Sequence, residues 1–130
     1  MKVMLDTNVI ISIMIFNSDI LKEMLEIIIK KYKLVISTYV LEETKEVIKR
    51  KFSDNYKDFE DFLSKLPYEL YRTPQIKKKL VHIRDINDEP ILYSAIMSNV
   101  DVFITGDKDF MDLNINKPEI LNPSEFLKKY

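Results

Sequence analysis

The feature that most restricts the fold is a recurring pattern: short β-forming runs stop at a helix-capping residue and lead into helically spaced apolar positions. Lys2 to Leu5 stops at Asp6-Thr7-Asn8, whose side chains suit a strand-to-helix turn, and Val9 to Phe16 follows as a buried helix. After Asn17-Ser18-Asp19, the residues Ile20, Leu21, Met24, Leu25 and Ile28 recur at helical spacing, up to lysines that suit a helix C-terminus. Leu34 to Ser37 is the next strand, and Ser37 or Thr38 caps a helix carrying Val40, Leu41, Val47, Ile48 and Phe52. Strand alternating with helix is the signature of an α/β protein.

The pattern continues in the second half. Ser53 is placed to cap a helix with Tyr56, Phe59, Phe62, Leu63 and Leu66 inside and Pro67 as its stop. Tyr68 to Arg72 reads as a short strand, and Thr73 to Arg84 carries no clear pattern. Asn87 is placed to cap a helix that tolerates Pro90 in its first turn and buries Ile91, Leu92, Ala95 and Ile96, with Asn99 as a left-handed stop. Asp101 to Thr105 reads as a buried strand running into Gly106, the chain's only glycine, expected where a turn needs positive φ or a close backbone approach. Glu119 to Leu121 is a last strand, and Asn122-Pro123-Ser124-Glu125 has the cap, N1 proline and N3 glutamate of a closing helix. With no repeat, low-complexity tract or linker, residues 1–130 are expected to form a single domain, three-layer α/β/α with a mostly parallel central sheet. At 46% hydrophobic residues the chain has enough apolar material for that core.

Six acids fall where strands should end or helices begin: Asp6, Glu43, Asp85, Asp88, Asp107 and Asp109. In an open parallel sheet, sites form in the crevice beyond the carboxyl ends of the strands, where Asp6 and Asp107 both belong. Each acid also has an ordinary reading, as an N-cap, a turn residue or a complement to a helix dipole. At about 100° per residue, Glu43 flanks the apolar stripe of its helix whereas Glu42 points away, so Glu43 leans toward the crevice. Several carboxylates gathered together repel one another unless a hard divalent cation lies among them. A Mg²⁺ or Mn²⁺ site is therefore the leading reading.

Charge and composition exclude other chemistry. The formal net charge of -1 offers no overall field for a polyanion, so any nucleic-acid contact is local. With no cysteine there are no disulfides, thiolate zinc sites or cysteine nucleophiles, and the lone His82 reads as a surface or linker residue. Met1 to Phe16 is interrupted by Asp6 and Asn8 and has no cleavage site, and no run approaches the ~20 apolar residues of a membrane span. A cytoplasmic protein without membrane contact is expected.

In their order and approximate spacing, four segments resemble the PIN-domain ribonucleases: Val3 to Ile10, Ser37 to Arg50 with Glu43, Arg84-Asp85-Ile86-Asn87-Asp88, and Ile104-Thr105-Gly106-Asp107-Lys108-Asp109-Phe110. The closing Asn122 to Leu127 is similar to the family's C-terminal segment, and the nearest branch is the VapC-like toxins of toxin-antitoxin modules. The resemblance implies a metal-dependent endoribonuclease acting on an RNA substrate. Its central acids would be Asp6, Glu43, Asp88 and Asp107, with Asp6, Asp88 and Asp107 binding Mg²⁺ or Mn²⁺ and Glu43 positioning metal or water. Asp85 and Asp109 would be accessory acids and Asn8 a polar neighbour. It further implies a homodimer and a cognate antitoxin protein.

Substrate contacts are less marked. Lys30-Lys31, Lys49-Arg50-Lys51 and Lys77-Lys78-Lys79 read as solvated faces before phosphate tracks, and Tyr39, Tyr68, Tyr71 and Tyr93 as core or seam residues before base-stacking platforms. Among rivals, a phosphatase with Asp6 as nucleophile wants an aspartate where Asn8 stands, and a receiver domain wants one where Ser37 stands. A catalytically silent binding module of the same fold should lack a central acid, and none is lacking. A DNA-directed nuclease of the same fold stays the nearest alternative.

Overall fold

The computed structural model describes residues 1–75 and 83–130. His82 and the Lys77-Lys78-Lys79 cluster lie outside these described residues. Strand β1 (Lys2–Leu5) is followed by helices α1 (Thr7–Ile15) and α2 (Asp19–Lys31), then β2 (Lys33–Ser37) and α3 (Thr38–Lys51). A 3₁₀ turn over Ser53–Asn55 leads into α4 (Tyr56–Lys65) and β3 (Glu69–Tyr71). A second 3₁₀ turn, Ile86–Asp88, precedes α5 (Glu89–Met97), β4 (Val102–Ile104), α6 (Lys108–Met111), β5 (Glu119–Leu121) and α7 (Pro123–Lys129).

The five strands form one sheet in the order β3-β2-β1-β4-β5, and every neighbouring pair is parallel. Successive strand residues point to opposite faces, yet Val3, Met4 and Leu5 are all buried, as are Leu34 to Ser37 and Val102 to Ile104. Burial on both faces is what a parallel sheet between two helix layers requires, and it explains why these strands read as continuous apolar runs. The expected α/β/α fold class is therefore the observed one.

Local signals in the sequence set most boundaries. Ser37 caps α3 by accepting from the Val40 N–H at 3.2 Å. Asn122 and Glu125 close a reciprocal capping box on α7, and Asn99 takes a left-handed φ of 59° after α5. Four expectations are corrected. Ser53 starts a 3₁₀ turn instead of capping α4, and no side chain caps that helix. Asn87 does not cap α5; Asp85 caps the turn before it, accepting from the Asn87 N–H at 3.0 Å. Gly106 has neither a positive φ nor a close neighbour, since a Cβ there would meet nothing within 4 Å. Phe16 and Ile20, expected inside, are exposed, because they flank the α1–α2 corner where Asn17 turns the chain with φ 49°.

Two aromatic contacts tie the late elements down. The buried Phe110 of α6 meets Phe103 of β4 edge-on at 5.3 Å between centroids, which fixes the short helix that follows Asp107. Tyr130 stacks on Phe126, and its hydroxyl donates to Glu119 at 3.0 Å, holding α7 to β5. No helix among the described residues is long and apolar enough to cross a membrane.

Replacing Asn122 with Ala removes one half of the capping box and is expected to lower stability by about 1 kcal/mol. Urea denaturation of Asn122→Ala beside a Ser124→Ala control measures this; equal midpoints for the two variants would refute the role given to the cap.

Candidate metal centre

From β1 the chain runs outward to β2 and β3 on one side, then returns to lay β4 and β5 on the other. The carboxyl ends of β1 and β4 therefore flank the point where the winding reverses, the usual place for a site in such a sheet. Asp6 follows β1 there, and its N–H extends the ladder by donating to the Ile104 carbonyl at 3.0 Å.

The Asp6 side chain is only 4% exposed, and both of its oxygens are engaged. Oδ1 accepts from the Thr7 N–H at 2.7 Å and Oδ2 from the Thr105 hydroxyl at 2.8 Å. The Thr105 oxygen also accepts from the Asp107 N–H at 3.0 Å, and the Thr7 hydroxyl donates to Glu43 Oε1. A continuous chain of hydrogen bonds thus runs from Asp107 through Thr105, Asp6 and Thr7 to Glu43. Asp107 in turn caps α6, with Oδ1 accepting from the Asp109 N–H at 2.9 Å.

Asp88, Asp107 and Asp109 each offer a carboxylate oxygen within 4.8 Å of the others, and all three are half-buried. The sequence reading placed Asp88 and Asp107 in this set but gave Asp109 only an accessory place. Glu43 is half-buried while Glu42 is exposed, in line with the helical-face argument. Asp85 is exposed at the rim. Asn8 does not join the hydrogen-bond chain; it is exposed and lines a small cleft of about 140 Å³ with Val9, Ser12, Leu21, Gly106 and Pro123. The sequence reading takes Thr7 only as a turn residue and Thr105 only as the end of a strand, with no part in the site. The only signal for them is that each hydroxyl stands within two residues of an acid.

Electrostatics mark the same place. Burial pushes the Asp6 carboxyl up to about 6, against the pull of its Thr105 and Thr7 bonds and with added repulsion from Glu43 and Asp107. Asp88 also rises to about 6, first through burial and then through Asp107, Asp85, Asp6 and Asp109. Among the described residues, no lysine or arginine pairs with any of these acids; the ion pairs present join Lys2 to Glu69, Arg50 to Glu46, Lys117 to Asp101 and Lys129 to Glu119. An all-oxygen donor set that no described lysine or arginine pairs with fits a hard divalent cation.

Other candidate features lie elsewhere. A roomier cleft of about 450 Å³, lined by Ile29, Tyr32, Lys33, Leu34, Pro67, Tyr68 and Glu69, sits at the amino ends of β2 and β3 and holds one carboxylate. Lys30-Lys31 and Lys49-Arg50-Lys51 occupy the last turns of α2 and α3, where they complement the helix dipoles. Tyr93 is fully buried and has no face to offer a ligand.

A parallel sheet with acids gathered at its winding reversal defines the class, and a family model described as PIN domain matches residues 2–109: the chain belongs to the PIN-domain family. In three dimensions it is similar to a chain in the crystal structure of VapBC2 from Rickettsia felis bound to a DNA fragment from their promoter, with a TM-score of 0.72. That likeness covers 94% of this chain and 98% of the other at 21% sequence identity. Comparison with curated proteins gave no match.

The two raised carboxyls give stability a definite pH dependence. Each holds its proton more tightly in the folded chain than the ordinary value of 3.8, so their contribution is complete below that value and is lost as pH rises through about 6. Metal-free protein is therefore expected to lose stability between pH 4 and pH 6, and Asp6→Asn to flatten the loss. For the buried Asp6 the shift corresponds to roughly 3 kcal/mol at most. Denaturant titrations across this range check it; stability that climbs through the window, or an Asp6→Asn curve parallel to the parent, contradicts it.

Proposed function

We propose that this chain is a metal-dependent endoribonuclease that hydrolyses RNA phosphodiester bonds, working in the cytoplasm as the toxin component of a toxin-antitoxin module. The observation that carries the reading is the convergence of Asp88, Asp107 and Asp109 within 4.8 Å, beside the buried Asp6 and its hydrogen-bonded link to Glu43. Membership of the PIN-domain family supports the nuclease class. The similar VapBC2 structure supports a protein antitoxin as partner, and we place a homodimer beside it as the working assembly.

In this reading Asp6, Asp88 and Asp107 hold Mg²⁺ or Mn²⁺, Asp109 joins them, and Asp85 adds negative potential from the rim. A bound ion of this kind lowers the pKa of its water and offsets charge on the phosphoryl oxygens. The chain's own groups set the geometry. Thr105 fixes one Asp6 oxygen and the Asp107 backbone together, so the ends of β1 and β4 keep a constant separation. Thr7 fixes Glu43 Oε1, and in this reading the second Glu43 oxygen accepts a proton from the attacking water. Water adds to phosphorus as the P–O bond to the ester oxygen breaks, and the leaving oxygen takes up the proton that Glu43 received or one from solvent.

The test incubates purified protein with a structured RNA and with single-stranded RNA and DNA of matched sequence, with Mn²⁺, Mg²⁺ or EDTA. Internal cleavage of RNA, its loss in EDTA, and a fall on the order of 100-fold or more in Asp6→Asn and Asp107→Asn are expected. Cleavage that survives EDTA or both substitutions contradicts the metal mechanism. Equal cleavage of DNA transfers the assignment to a DNA-directed nuclease, and RNA binding without turnover to a silent module of the same fold.

A further inference from the structure

We propose that the cleft beside Gly106 seats one unpaired base of the RNA next to the scissile phosphate, and that residue 106 is glycine to keep this cleft open; the proposal rests on the nuclease reading above. Gly106 is the chain's only glycine, yet neither backbone nor packing calls for one: its φ is not positive, and a Cβ there would meet no atom within 4 Å. At such a place alanine restricts the unfolded chain and adds stability. What glycine offers here is therefore space on the outer surface. Gly106 is exposed and forms part of the wall of the cleft of about 140 Å³ that it shares with Asn8, Val9, Ser12, Leu21 and Pro123, so a branched side chain at 106 would intrude on it.

The cleft adjoins the acids through two elements: Gly106 directly precedes Asp107, and Asn8 stands two residues after Asp6. None of its described lining residues is charged, whereas the larger clefts carry Lys33 and Glu69, Lys22 and Glu26, or three glutamates. A strand whose phosphate lies among the acids therefore has a neutral surface one residue from Asp107. Size decides which part of the strand fits, because 140 Å³ is well below the roughly 300 Å³ at which a pocket starts to enclose a whole small molecule. One ring system enters, not a nucleotide. Val9, Leu21 and Pro123 give apolar walls of the kind that flank an extruded base, while the Asn8 amide and the Ser12 hydroxyl, which no other described residue engages, donate and accept at its edge. Only a base released from pairing and stacking reaches such a slot.

Steady-state cleavage with Mn²⁺ of a short single-stranded RNA of mapped cleavage position tests this, using the parent, Gly106→Ala, Gly106→Val and Ser12→Leu, which narrows the cleft from α1. Mn²⁺ affinity and the metal-free urea midpoint are measured for each. Gly106→Ala should be at least as stable as the parent. Gly106→Val and Ser12→Leu should each raise KM roughly 10-fold or more, with kcat within about threefold and Mn²⁺ affinity unchanged. Of two RNAs that each lack the base on one side of the cleaved bond, one should show the same loss with the parent and no further loss with Gly106→Val. An unchanged KM in both cleft variants, or losses from Gly106→Val and base removal that simply add, overturns the proposal and leaves the nuclease standing. So does a Gly106→Ala protein less stable than the parent, since the backbone would then need its glycine. A Gly106→Val loss that follows a fall in Mn²⁺ affinity, with Ser12→Leu like the parent, also overturns it, because the glycine would then serve the metal centre. A parent that cleaves no RNA removes the nuclease reading and this proposal together.

Discussion

The structure at the crevice depends on one buried carboxylate. Water would solvate Asp6 far better than the interior does, and its pKa of about 6 records that cost. It is kept in place by hydrogen bonds that cannot be made elsewhere: a backbone N–H at the start of α1, and a threonine hydroxyl at the end of the neighbouring strand. Because β1 and β4 are directly paired, in the register Leu5 to Ile104, the next residue of each strand meets its counterpart at this point. Asp6 and Thr105 are those residues. Through them Asp107 is tied to Glu43, although 64 positions separate the two in the sequence.

A net charge of -1 with acids gathered at one crevice is an unexpected setting for the polyanion proposed as substrate, and the proposed resolution is local. Among the described residues no lysine or arginine pairs with these acids, so those residues leave a demand for positive charge in the crevice. In the proposed reading a divalent cation would meet that demand and reverse the sign of the field felt by a phosphate. The same feature that is expected to lower the stability of the metal-free chain near neutral pH would then give the proposed site its affinity. On that reading stability and function pull in opposite directions at these few residues, above a core in which Phe103, Phe110 and Met4 are fully buried.

Much of this was legible before any coordinates. Strands flanked by cap residues stand out because apolar runs and Ser37 or Asn122 carry their own short-range chemistry, and Asn99 marks its helix end for the same reason. The acids were legible because so many carboxylates at strand ends need a common explanation. Hydroxyls were not. Thr7 and Thr105 look like ordinary helix-start and strand residues, and only the pairing of β1 with β4 reveals what their side chains reach. Caps near the second 3₁₀ turn were misassigned because Asp85 and Asn87 are equally good capping residues two positions apart, and tertiary packing chose between them. Gly106 misled because a lone glycine suggests a backbone need, whereas this one is exposed with an ordinary φ. Nor does chain position say which acids stand closest: Asp109 joins Asp88 and Asp107 because Asp107 caps the short α6.

Crystals of the protein soaked in Mn²⁺ and measured near the manganese absorption edge give the most direct reading of the central claim. An anomalous peak bounded by the carboxylates of Asp88 and Asp107, within reach of Asp109 or Asp6, is the predicted result, and it should vanish in crystals of Asp107→Asn. A crevice without manganese density at millimolar Mn²⁺, with the four acids in the positions described, would contradict it.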